Sequence, residues 1–163
     1  MAKRTFSKEH RANISKACMG RETWSKGKKM PLDSLRKNMK AHLRFDVSIE
    51  YLRQFADVEK LKTLNSCITN RSGRFDVDTD WYIAYIDKFY NDLKFNMIYT
   101  NWELHSRDPY MRPSIDHIIP KAKGGTNDID NLQFLTWFEN RCKNDMTQAE
   151  WDNVLSNLER YFI

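Results

Sequence analysis

The chain has 163 residues, 40% of them hydrophobic, with 9 Phe, 7 Tyr and 5 Trp, which is enough apolar bulk for one packed domain plus an appendage and excludes a disordered chain. No apolar run approaches the roughly 20 residues that span a bilayer, and the basic first residues are not followed by the apolar stretch of a signal peptide, so a cytoplasmic protein, neither secreted nor membrane-bound, is expected. The net charge of +5 conceals an asymmetry: residues 1–44 carry 13 Lys and Arg against 3 Asp and Glu, a net of +10, and residues 45–163 carry 14 against 19, a net of −5. Charge gathered in one arm suits a polyanionic partner, with a merely solvated basic tail as the plain alternative. Cys18, Cys67 and Cys142 are odd in number and widely spaced, giving neither a disulfide framework nor a zinc knuckle.

The arm, residues 1–44, reads as two short helical pieces joined by a loop. Ser7 is a candidate N-cap, Ile14, Ala17 and Cys18 share a helical face, and Gly20 is a stop. The loop from Gly20 to Lys29 sets one aromatic, Trp24, among charges. Pro31 and Asp33 open the second piece, with Leu35, Met39 and His42 on one side. Each piece has few large apolar residues, so the arm is expected to be extended and to order on its partner rather than to fold as a globule.

From Phe45 the composition changes. Val47, Ile49, Leu52, Phe55, Val58, Leu61, Leu64 and Ile68 suggest two amphipathic helices, and Asn70 to Gly73 a turn. An aromatic-rich helix is expected from Trp81 to about Leu93, with Tyr82, Tyr85, Ile86, Phe89 and Tyr90 as core, and another from about Phe95 to Leu104, ended by Pro109 and Pro113. Ser114 to Ile119 alternates and is β-branched, a strand stopped by Pro120. A Gly-Gly loop follows, then a short strand or helix lead-in at Leu132 to Leu135, and a helix from Trp137 to Asn144. Thr147 and Glu150 form a capping box for a last helix whose apolar face is Trp151, Val154, Leu155, Leu158 and Phe162.

Four linked elements carry chemistry: Ile115-Asp116-His117-Ile118-Ile119-Pro120, Gly124-Gly125-Thr126-Asn127, Asn131-Leu132-Gln133, and Asn140-Arg141-Cys142-Lys143. Asp116 offers a carboxylate and Asn140 an amide carbonyl, both hard oxygen donors for an ion such as Mg²⁺ that keeps most of its waters. His117 offers an imidazole, which ordinarily titrates near ~6.5 and suits a general base at neutral pH. Successive strand residues point to opposite faces, so acid and imidazole must straddle their substrate at a twist or strand end.

In order and spacing over about 35 residues, this stretch resembles the HNH endonuclease family, with its DHxxP strand, GG loop, NLQ segment and closing helix. The resemblance implies an α+β, mainly helical fold in which a ββα-metal unit at about 113–146 packs with the aromatic helices of a core spanning 45–163. It implies His117 as general base, Asp116 and Asn140 on one divalent metal ion, Mg²⁺ or Mn²⁺, and Asn131 holding the loop and orienting the histidine through backbone contacts. Arg141 and Lys143 on the metal-bearing helix would face phosphates or be solvated helix charges, and Lys121 and Lys123 join them as candidate DNA contacts. Two departures matter: Asn140 stands where many relatives have His, and Thr136 and Glu139 stand where many carry half of a zinc-binding CxxC pair, so no structural zinc is expected. The remaining histidines, His10, His42 and His105, read as surface residues.

The arm also resembles the NUMOD3 modules that accompany phage and intron homing nucleases, through Phe6-Ser-Lys-Glu-His-Arg11, Ile14-Ser-Lys-Ala17, Gly20-Arg21 and Trp24. That resemblance implies DNA contacts from Arg11, Lys16, Arg21, Trp24, Lys26, Lys28, Lys29 and Lys40. The resulting expectation is a free-standing, phage-type homing endonuclease on duplex DNA, monomer or homodimer, working in the host cytoplasm if phage-encoded. A non-specific or structure-selective nuclease of the family, an inactive DNA-binding relative and an RNA-directed enzyme are the alternatives. Removal of residues 1–44 is expected to leave a folded core.

Overall fold

The computed structural model describes residues 7–9, 12–13, 16, 29–69 and 75–160. Most of the NUMOD3-like segment, the turn at 70–73 and the last three residues lie outside the described residues. The described chain is mainly helical with one small sheet: α1 Leu32–His42, α2 Ile49–Arg53, α3 Val58–Thr69, α4 Thr79–Tyr90, α5 Leu93–Leu104, β1 Pro113–His117, β2 Leu132–Thr136, α6 Trp137–Lys143 and α7 Gln148–Glu159. None of these helices is long and apolar enough to cross a membrane.

The helices start where short polar side chains can accept from otherwise orphaned backbone N–H groups. Ser48 accepts from Tyr51 N, Asp78 from Trp81 N and Asp92 from Phe95 N, while Thr136 and Thr147 form full capping boxes with Glu139 and Glu150. The positions that could have carried part of a zinc site thus cap α6 instead.

The aromatic stripe of α4 is core: Tyr82, Tyr85, Ile86 and Phe89 are buried. Phe134 of β2 carries the sheet into this layer, its ring 4.7 Å from that of Phe95 on α5 and 5.1 Å from that of Phe89, edge to face. The strands pair antiparallel with Ile115 opposite Phe134 and Asp116 opposite Gln133. Side chains alternate across a strand, so Ile115, His117, Leu132 and Phe134 face the aromatic core while Ser114, Asp116, Gln133 and Leu135 face the opposite way, toward α6. Both faces are covered, and all five β1 residues are buried.

Two expectations change. The second piece of the arm is part of the packed body: Met39 is buried in the core cluster, Leu35 and Leu43 pack against it, and Arg36 donates to Phe55 O at 2.7 Å. Asp33 holds Arg53 through two 3.0 Å bonds, and Arg44 donates to Phe75 O at 2.7 Å. The expected boundary at residue 44 therefore falls between two packed residues, Leu43 and Phe45. Residues 1–30 carry 9 Lys and Arg against 2 Asp and Glu, a net of +7. In α7 only Trp151 of the expected apolar face is buried; Leu155 and Leu158 are exposed, and Phe162 lies outside the described residues.

Candidate functional site

The site is built where β1 ends and α6 crosses it. The chain leaves β1 through a turn locked by Asn131, whose Oδ1 accepts from Ile119 N at 2.9 Å and whose amide donates to Ile119 O at 3.0 Å and Thr126 O at 2.9 Å. Gly125 sits so close that a Cβ there would lie 1.7 Å from Ile119 O, so no other residue fits without moving the turn. Gly124 closes the short helical turn 121–123 at φ +85°, a left-handed conformation that glycine adopts freely. The side chain of Asn131 thus spans the loop, and its backbone carbonyl accepts from Ile118 N at 2.8 Å; the His117 ring has a different partner.

That residue is Asn127. Its Oδ1 lies 3.0 Å from His117 Nε2, and its own backbone carbonyl accepts from Trp81 Nε1 at 2.8 Å. An amide oxygen accepts, so this contact is made by the tautomer that carries its proton on Nε2. The imidazole lies parallel to Phe75, centroids 5.7 Å apart, and His117 is only 2% exposed. It is the last residue of β1, at the strand end the alternation argument requires.

On the other face Asp116 is 4% exposed, and its Oδ2 receives Gln133 Nε2 and Lys143 Nζ, each at 3.0 Å. Lys143 is fully buried and also donates to His117 O at 2.9 Å. This corrects the phosphate-facing expectation for Lys143: its ammonium is turned inward, where it neutralises Asp116 and ties α6 to the backbone of the histidine. A buried carboxylate without such a partner would be strongly unfavourable.

Asn140, one helical turn before Lys143, donates its amide to Ser114 Oγ at 3.1 Å and to Ile115 O at 2.8 Å. Both amide hydrogens are therefore engaged and Oδ1 is the outward end. Asp116 Oδ1 and Asn140 Oδ1 take no hydrogen bond from the described residues. Two oxygen donors on the α6 side of β1 suit a hard divalent cation such as Mg²⁺ or Mn²⁺.

The structure thus brings together Asp116, Asn140, Lys143 and Gln133 on one face and His117 with Asn127 on the other. Lys121 and Lys123 are exposed on the loop after Pro120, with Lys123 paired to Glu150. Arg141 is exposed on α6, and Lys16, Lys29 and Lys40 are exposed at the other end of the chain. Arg11, Arg21, Trp24, Lys26 and Lys28 lie outside the described residues. Asn127 and Gln133 stand in the linked elements of the sequence, but sequence reasoning gave neither a role; strand pairing sets Gln133 across from Asp116, and Asn127 reaches His117 only through the fold of its loop.

Residues 101–145, from the end of α5 through α6, match the family model for HNH endonucleases. The matched segment contains the hairpin, the loop and the helix that position every residue of the site. No curated protein and no solved structure matches the chain.

Proposed function

We propose that the protein is a divalent-metal-dependent endonuclease that hydrolyses phosphodiester bonds of duplex DNA. The observation that carries this reading is the placement of Asp116 and Asn140 beside the strand end where Asn127 holds the His117 ring. His117 takes the proton of the attacking water as the new P–O bond forms and the bond to the 3′ oxygen breaks; that oxygen takes a proton from solvent, leaving a 5′-phosphate and a 3′-hydroxyl. Asn127 orients the ring for this. Asp116 and Asn140 would hold the ion, which when bound supplies positive charge to the phosphate and to the leaving oxygen. Gln133 and Lys143 orient Asp116 through bonds to its Oδ2.

The basic segment before residue 31 is proposed to supply affinity, most of it through phosphates, with Arg11, Lys16, Arg21, Trp24, Lys26, Lys28 and Lys29 on DNA. Its NUMOD3-like pattern favours a homing-type enzyme with a preferred site, free-standing and of phage character, in the cytoplasm of the host cell. Lys40, exposed on α1, would extend that track. Digestion of genome-length duplex DNA with Mg²⁺ tests the reading: a few discrete fragments are expected. A smear would replace site preference with non-specific cleavage. An inert protein with Mg²⁺, Mn²⁺ and Ni²⁺ would overturn the catalytic reading and favour a DNA-binding relative.

A further inference from the structure

Arg112, Trp137 and Arg141 form a second charged feature beside the site, outside the metal face and the hairpin loop. Both guanidinium carbons lie over the indole of Trp137, at 5.8 Å for Arg112 and 5.5 Å for Arg141. Tyr110 meets the same ring edge-on at 5.6 Å. The loop that supplies Tyr110 and Arg112 is pinned to the start of α6: Trp137 N donates to Arg112 O at 2.8 Å and Phe138 N to Tyr110 O at 3.0 Å. The cluster is one preorganised surface, and it shares α6 with Asn140.

Its side chains face outward. Tyr110 is 59% and Phe138 58% exposed, and both arginines are exposed. Arg53 and Arg107 are engaged with carboxylates, and Arg36 and Arg44 with backbone carbonyls. Among the described residues neither the Arg112 nor the Arg141 guanidinium has a hydrogen bond or an ion pair; each rests on Trp137. Stacking holds a guanidinium plane while leaving its fork of N–H donors for another group. Two such forks, next to an exposed phenyl ring, suit a phosphate backbone with a groove beside it.

We infer that the Arg112–Trp137–Arg141 cluster is a duplex-binding clamp that fixes the scissile strand against α6. The two arginines take neighbouring phosphates of one strand, and Phe138 presses into the adjoining groove. The inference rests on the nuclease reading and deepens it, because the packed body then has its own DNA contact in addition to the basic N-terminal segment. Trp137 is a positioning residue here, acting through the two guanidinium groups.

The test is fluorescence anisotropy of a labelled duplex oligonucleotide with the full chain, in chelator so that the duplex stays intact, across a series of salt concentrations. Each phosphate contact contributes about 0.9 to the slope of log affinity against log salt. R112Q and R141Q should each make the slope shallower by about 0.9, and the double variant by about 1.8. R112K/R141K, which keeps both charges, should restore the wild-type slope. F138A should keep the slope and weaken binding about tenfold, as loss of one stacked contact does. Melting temperatures checked on every variant ensure that the comparison is between folded proteins, and the two single variants carry the test if the double does not fold. Wild-type slope and affinity in the glutamine variants would overturn the clamp and leave the nuclease reading standing. Failure of the wild type to bind the duplex at all would overturn both, and tighter binding to single strands or RNA would overturn the assignment of partner.

Discussion

Lys143 places a full positive charge, with no solvent exposure, between the Asp116 carboxylate and the carbonyl of His117. The geometry explains why a lysine three residues after Asn140 belongs to the site without touching substrate: one turn of α6 sets both side chains on β1. Breaking a buried pair by removing one member costs about 3–5 kcal/mol, because the other charge is left uncompensated. K143M should therefore destabilise the protein by about that much in urea titrations, whereas K121M, on an exposed loop, should stay within about 0.5 kcal/mol of wild type. Equal stability of the two variants would contradict the inward placement. The hairpin and helix that carry Asp116, His117, Asn131 and Asn140 were legible in the sequence because proline, glycine and β-branched residues mark their ends. The contacts of Lys143 and Asn127 were not, because one depends on which way a long side chain turns and the other on how the loop after Pro120 folds back.

At the level of elements, periodicity located the helices well, and the breaks followed prolines and capping residues. It did not say how far a face is covered. The apolar side of α7 looks like core in sequence, yet Leu155 and Leu158 remain exposed, since α7 packs through its first turn. There Gln148 N donates to Ile118 O at 3.0 Å, and Glu150 accepts from Thr147 N, Thr147 Oγ1 and Lys123. The Lys123 ammonium, and then Thr147, hold the Glu150 carboxyl down from its usual 4.5 to about 2. A depressed folded pKa means that this anchor is fully present above about pH 4.5 and is lost as pH falls toward 2. Across that interval the melting temperature of E150Q should fall by less than that of wild type, as followed by circular dichroism; parallel curves would show that the contact does not stabilise α7.

Over the whole molecule, composition separated a basic end from an acidic body but placed the boundary too late. Charge counting treats Arg36 and Arg44 as free cations, whereas folding commits both to backbone carbonyls of the core. A chain beginning at Met30 should keep the wild-type melting temperature and lose much of its salt-dependent DNA affinity. A chain beginning at Phe45 loses buried Met39 as well as these two arginines and should be less stable by at least about 3 kcal/mol, on the scale of a single buried methionine. Equal stability of the two truncations would restore the boundary at 44.

The central claim is that a positioned imidazole at the end of β1 performs hydrolysis on DNA held by other residues. The most direct measurement compares wild type and H117A side by side, following cleavage of a duplex in Mg²⁺ and binding of the same duplex in chelator. Cleavage by H117A should be slower by about 10²–10⁴-fold, with affinity for the duplex unchanged. Undiminished cleavage, or binding lost together with cleavage in a folded H117A protein, would contradict the account.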